Sequence, residues 1–156
     1  NTIISQVVES YLEHKWKCAV GGRISSNYVE EDVLYYPPKL TSNFLRYFMF
    51  LPHQSFFCET SLHRNYKFDE SIITSMDYEL FLRMLKNIEI FYLPFVISQC
   101  EAGGISSQSQ KRVIEQSRIR LKYTKSIQEK FIISILNRLI MLKTYLKIDS
   151  PFALKK

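Results

Sequence analysis

At 156 residues the chain has the size of one domain, long enough to bury a core without disulfide or metal staples. A hydrophobic content of 46% and an aromatic content of 14% exclude a disordered chain. Three cysteines, Cys18, Cys58 and Cys100, with no CxxC spacing, exclude a disulfide framework and a structural zinc site and suit a reducing, cytoplasmic setting. The net charge of +6 is uneven, with nine basic and twelve acidic residues in 1–108 against twelve basic and three acidic in 109–156.

Apolar residues at Ile3, Ile4, Val7, Val8, Tyr11 and Leu12 fall at helical spacing, and Thr2 suits the N-cap, so the chain opens on an amphipathic helix to His14. Glu9 inside it speaks against a signal peptide, and the missing initiator Met suggests a fragment or a processed product. Trp16 to Val20 reads as a short strand that Gly21-Gly22 breaks. Residues 28–36 read as an irregular strand ended by Pro37-Pro38, and Ser42 as the cap of a second helix reaching Phe50. Ser55 to Cys58 reads as a buried strand, Thr60 to Asn65 as one helical turn, and Asp69 to Ser75 as a loop. Asp77 to Lys86 is a strong helix, with Ser75 or Asp77 at its start and Asn87 at its C-cap. Ile88 to Leu93 and Phe95 to Gln99 read as two strands around Pro94, and Gly103-Gly104 opens a polar, mobile loop.

Two helices, 109–127 and 129–147, complete the chain. The last is too short and too charged to span a bilayer. It packs on its own domain, or lies in a membrane interface with its Lys and Arg on anionic lipid. No aromatic residues interleave with the basic run in an RNA-binding pattern, so nucleic acid is not the expected partner. The alternation of helices and short strands predicts an α/β layer fold, divided at 1–108 and 109–156, the latter a basic helical extension.

The run Pro52-His53-Gln54-Ser55-Phe56-Phe57, then Lys67-Phe68-Asp69-Glu70, then Ser75-Met76-Asp77-Tyr78-Glu79-Leu80, then Gly103-Gly104-Ile105-Ser106 resembles the acceptor-side, C-terminal half of bacterial family 2 inverting glycosyltransferases of GT-A fold. The four motifs stand in the family's order across residues 52–106. The stretch before them matches less distinctively, and 107–156 only in being helical and basic. The resemblance implies a partial GT-A fold with a short mixed sheet and flanking helices. It implies that an acceptor hydroxyl attacks the anomeric carbon of a nucleotide sugar, in cell-surface polysaccharide or glycolipid synthesis.

On that resemblance Asp77 takes the place of the catalytic base. Helix logic alone reads it as a capping Asp at a terminus that favours negative charge. His53 and Gln54 take the acceptor-lining place, against a plain reading as a core histidine and its neighbour. Gly103, Gly104 and Ser106 take the place of the loop that closes over donor, or form a simple turn. Glu79 reads as a structural or solvent-facing group, Asp69 and Glu70 as loop-capping groups rather than catalysts, His14 and His63 as surface residues, and Arg118 and Arg120 as a solvated helix face within reach of a diphosphate. The family's Mn²⁺ or Mg²⁺ sits on a DxD motif. No DxD triplet and no QxxRW occurs here, so the chain reads as starting past the metal site and as inactive alone. Such a half, with apolar sheet edge uncovered, is expected to self-associate or to bind a complementary N-terminal half.

Overall fold

Thr2 caps the first helix as its sequence suggests: its side chain accepts from the Ser5 amide at 3.2 Å, and α1 runs Ile3–His14. The structure, a computed structural model, describes residues 2–26, 33–86, 88–101, 109–146 and 154–155. The strands are β1 (Cys18–Ser26), β2 (Val33–Tyr35), β3 (Phe56–Cys58), β4 (Phe91–Glu101) and β5 (Leu154–Lys155). The remaining helices are α2 (Thr60–Arg64), α3 (Met76–Met84), α4 (Ser109–Lys122) and α5 (Ile127–Tyr145). The architecture is mixed α/β, a small mixed sheet with flanking helices.

β1 is the centre of the sheet. Along one edge it pairs antiparallel with β3 and then β2, which carries β5; along the other it pairs parallel with β4. Its side chains alternate between two cores. Cys18 and Val20 face one with Phe81, Met84 and Leu85 of α3, and Ala19 faces the other with Val7 of α1 and Leu93. A third cluster, Ile72, Tyr78 and Ile119, joins α3 to α4. α4 thus contributes Ile119 to a cluster shared with α3. Cys18 and Cys58 face each other across the β1–β3 register, yet both are free thiols.

Three expectations for the elements are corrected. Gly21-Gly22 does not break the first strand, because β1 runs through both. A Cβ on Gly21 would lie 2.4 Å from Ile97 Cγ1 and 2.8 Å from the Phe95 carbonyl, so glycine is what lets β4 approach. Pro94 does not divide two strands either. β4 is continuous, and Pro94 lies in a register irregularity between the Val20–Tyr92 and Gly22–Val96 pairs, where a missing amide costs no ladder bond.

The third correction concerns Ser42–Arg46, which is a 3-10 turn following Thr41 and not a helix capped by Ser42 and reaching Phe50. Carbonyls of this stretch instead bond to side chains of distant elements. Leu45 O accepts from the Tyr78 hydroxyl at 2.5 Å, Tyr47 O from Arg120 at 3.3 Å, and Phe50 O from the Tyr35 hydroxyl at 2.6 Å. The expected Asn87 C-cap and residues 28–32 lie outside the described residues.

Candidate functional site

α3 begins where the loop from Asp69 turns inward, and its N-terminus is held from outside. Ser75, at the N-cap, makes no side-chain capping bond. The loop leading into it is held by Glu115 of α4, whose carboxylate accepts from the Ile73 amide at 2.9 Å, the Thr74 amide at 2.7 Å and the Thr74 hydroxyl at 2.5 Å. Burial pulls the Glu115 carboxyl upward, but these hydrogen bonds outweigh it and hold the group below its ordinary range.

Asp77 lies on the first turn so presented, half-buried, with Oδ1 accepting from the Tyr78 amide at 2.8 Å. Phe81, one turn further on, meets the edge of the His53 ring with centroids 6.0 Å apart. His53 therefore stands over the same stretch of α3 as Asp77, although no hydrogen bond joins the two among the described residues. His53 and Gln54 are both exposed and sit in a 3-10 turn (His53–Ser55) just before β3, not on a strand and not in the core. Behind them Ser55 is buried, donating to Gly22 O at 2.9 Å and bonded to Ser98 Oγ at 2.7 Å, which locks this turn to β1 and β4.

Two arginines that the motifs did not single out complete the neighbourhood. Arg112 of α4 is lowered from its ordinary value first by burial, then by the charge of Arg23, while the Asp77 carboxylate acts the other way. Arg112 is thus within electrostatic reach of both. Arg23 lies with its guanidinium 5.5 Å from the Tyr35 ring, and its Nε is buried with no hydrogen-bond partner among the described residues. Arg23 pairs in register with Ser98, in the carboxyl-terminal half of both parallel strands. That is the end at which open α/β sheets place their ligands. Two clefts of about 540 and 510 Å³ lie elsewhere, around Leu40, Tyr92 and Ile88 and around Trp16, Glu89 and Phe91, toward the other end of β4.

The remaining expectations divide. Asp69 accepts from the Ser71 hydroxyl at 2.5 Å and amide at 3.1 Å, a loop-capping arrangement that lowers its pKa. His14 and His63 are exposed. Glu79 is structural but not solvent-facing: it is buried, bound by Arg83 Nε at 2.8 Å, and accepts from the Tyr123 hydroxyl. Burial first, and then that hydrogen bond, push the Tyr123 hydroxyl up to about 12. Arg120 is not on a solvated face. It is buried, donating from Nε to Asn137 Oδ1 at 2.8 Å, whereas Arg118 is exposed. Gly103, Gly104 and Ser106 lie outside the described residues.

Arg112, Glu115 and Ile119 fall at i, i+3 and i+7 of α4, with Tyr123 at i+11 just past its end, one face that serves Asp77, Thr74, Tyr78 and Glu79 in turn. That periodicity was visible in the sequence, but its destination 41 residues upstream was not. Among the described residues no three His, Cys, Asp or Glu side chains gather as a metal-ligand set. No family model, no curated protein and no solved structure matches this chain.

Proposed function

We propose that this chain is the acceptor-side half of an inverting, GT-A-type family 2 glycosyltransferase, with Asp77 as general base. The observation that carries the reading is the placing of Asp77 on the first turn of α3, one turn from the ring that meets His53 and within electrostatic reach of Arg112. In the proposed reaction Asp77 takes the proton of an acceptor hydroxyl as that oxygen bonds to the anomeric carbon. The nucleoside diphosphate leaves from the opposite face, with inversion. His53 and Gln54, exposed at the same mouth, line the acceptor. Arg23 and Arg112 suit a phosphate-bearing ligand, since a guanidinium fork matches phosphate oxygens, and the Arg23 Nε, with no partner among the described residues, is a donor in need of an acceptor.

β4 supports the division into halves. It has 11 residues and β1 as its one partner among the described residues, so a long parallel strand keeps one edge open. In the proposed enzyme that edge receives the sugar-nucleotide-binding units, whose DxD motif would hold Mn²⁺ or Mg²⁺. The described residues do not fit that ion, and no step here runs through it.

The test is release of nucleoside diphosphate from a panel of nucleotide sugars by the full-length protein, wild type against Asp77→Asn. Turnover is expected to fall by roughly a hundredfold or more in the variant, with donor affinity nearly unchanged. Near-normal turnover of Asp77→Asn removes it from the base role, and no release by wild type with any donor sinks the transferase reading. The 156 residues alone are expected to be inactive.

A further inference from the structure

We infer that the outer face of α5 docks peripherally on an anionic lipid surface. α5 is apolar on two opposite sides. Its inner side buries Ile133 and Asn137 against the domain, where Arg120 holds Asn137. Its outer side carries Phe131, Ile135, Leu139 and Leu142 at helical spacing, and Phe131, Leu139 and Leu142 are 68%, 56% and 54% exposed. One apolar face is accounted for by the core. The other is a continuous stripe of large side chains in water, which marks a binding surface.

Charge identifies the occupant. Between residues 116 and 147 Glu129 is the one acid, against eight Lys and Arg. Glu129 is tied to Arg46 at 2.9 Å and so is turned to the packed side. The charges bordering the outer stripe are Arg138 and Lys143, both cationic. α1 shows the contrast: its exposed Ile4, Val8 and Leu12 are bordered by Glu9 and Glu13, a pattern unsuited to anionic lipid. No helix among the described residues is long and apolar enough to cross a membrane, so α5 lies flat. Its 19 residues, about 28 Å long, present apolar side chains to the acyl boundary with cations at headgroup level. This inference does not depend on sugar transfer.

The experiment is co-sedimentation of the full chain with phosphatidylcholine vesicles and with vesicles of equal parts phosphatidylcholine and phosphatidylglycerol. Binding is expected on the anionic vesicles and to weaken as salt rises. Phe131→Ser with Leu139→Ser is expected to abolish it with helix content retained. Arg138→Gln with Lys143→Gln is expected to lower the partition coefficient roughly thirtyfold, about fivefold for each cation. If the serine variant loses helix content, the charge variant decides alone. Absent binding, or equal binding to both vesicle types, overturns the inference. So does a lipid-free dimer that the serine variant returns to monomer, since the face would then join two copies of the chain.

Discussion

The Glu115 carboxylate holds Thr74 twice, accepting from its amide at 2.7 Å and its hydroxyl at 2.5 Å. This contact spans 41 residues and fixes the turn that aims Asp77. Replacing Glu115 by Ala is expected to cost about 1.5–3 kcal/mol of stability, the scale of lost hydrogen bonds to a charged group. Glu115→Gln, which keeps an acceptor, is expected to cost less. Urea denaturation of the three proteins checks this, and equal midpoints would show that α3 is held in some other way.

The same carboxylate sets a pH dependence. Its folded pKa lies below the ordinary 4.5, because the Thr74 and Ile73 hydrogen bonds outweigh burial. A depressed carboxylate contributes stability that is present above the unfolded value and is lost as pH falls through the folded one. Thermal midpoints are therefore expected to decline from just above pH 4.5 downward. Glu115→Gln should flatten part of that decline. The rest belongs to other depressed carboxylates such as Asp69, held low by Ser71. A variant curve parallel to wild type would contradict the assignment.

Gly21 and Gly22 should not be equally tolerant. The Cβ of Gly21→Ala would meet the Phe95 backbone carbonyl at 2.8 Å as well as Ile97, so the strands must separate, at about 1–3 kcal/mol. The Cβ of Gly22→Ala would meet the Tyr36 ring alone, nearest atom 2.7 Å away, on a side chain that is partly exposed and able to swing out. Calorimetric melts of the two variants should rank Gly21→Ala clearly below Gly22→Ala, and the reverse order would refute the close-approach account.

Arg118 and Arg120 look alike in the sequence and should behave oppositely. Arg120→Ala empties a buried site and strips the partner from Asn137 Oδ1 and Tyr47 O, for an expected loss of about 3 kcal/mol. Arg118→Ala, on the exposed side, is expected to stay within about 0.5 kcal/mol of wild type. Denaturant titration of both variants separates them, and a near-neutral Arg120→Ala would show that the buried guanidinium is not structural.

Local signals were legible wherever the physics is local. Thr2 capping α1, the apolar majority of α3 and the last helix, expected over 129–147 and found at Ile127–Tyr145, all express periodicity or a cap within a few residues. The signals that misled were backbone-breaking residues whose meaning depends on a neighbour. Gly21 reads as a break until Ile97 and the Phe95 carbonyl are seen against it, and Pro94 reads as a boundary until the β1 register makes room for it.

By itself the sequence determined the long helices α1, α3 and α5, with Asp77 at the start of α3. Each of these rests on residues within about two helical turns of one another. Tertiary structure alone decided that Glu115 holds the loop before α3, that Arg120 is buried, and that α5 keeps an apolar face in water. Those facts depend on which faces of distant segments meet. Helical spacing shows that a face exists, but only long-range packing chooses its partner or leaves it without one.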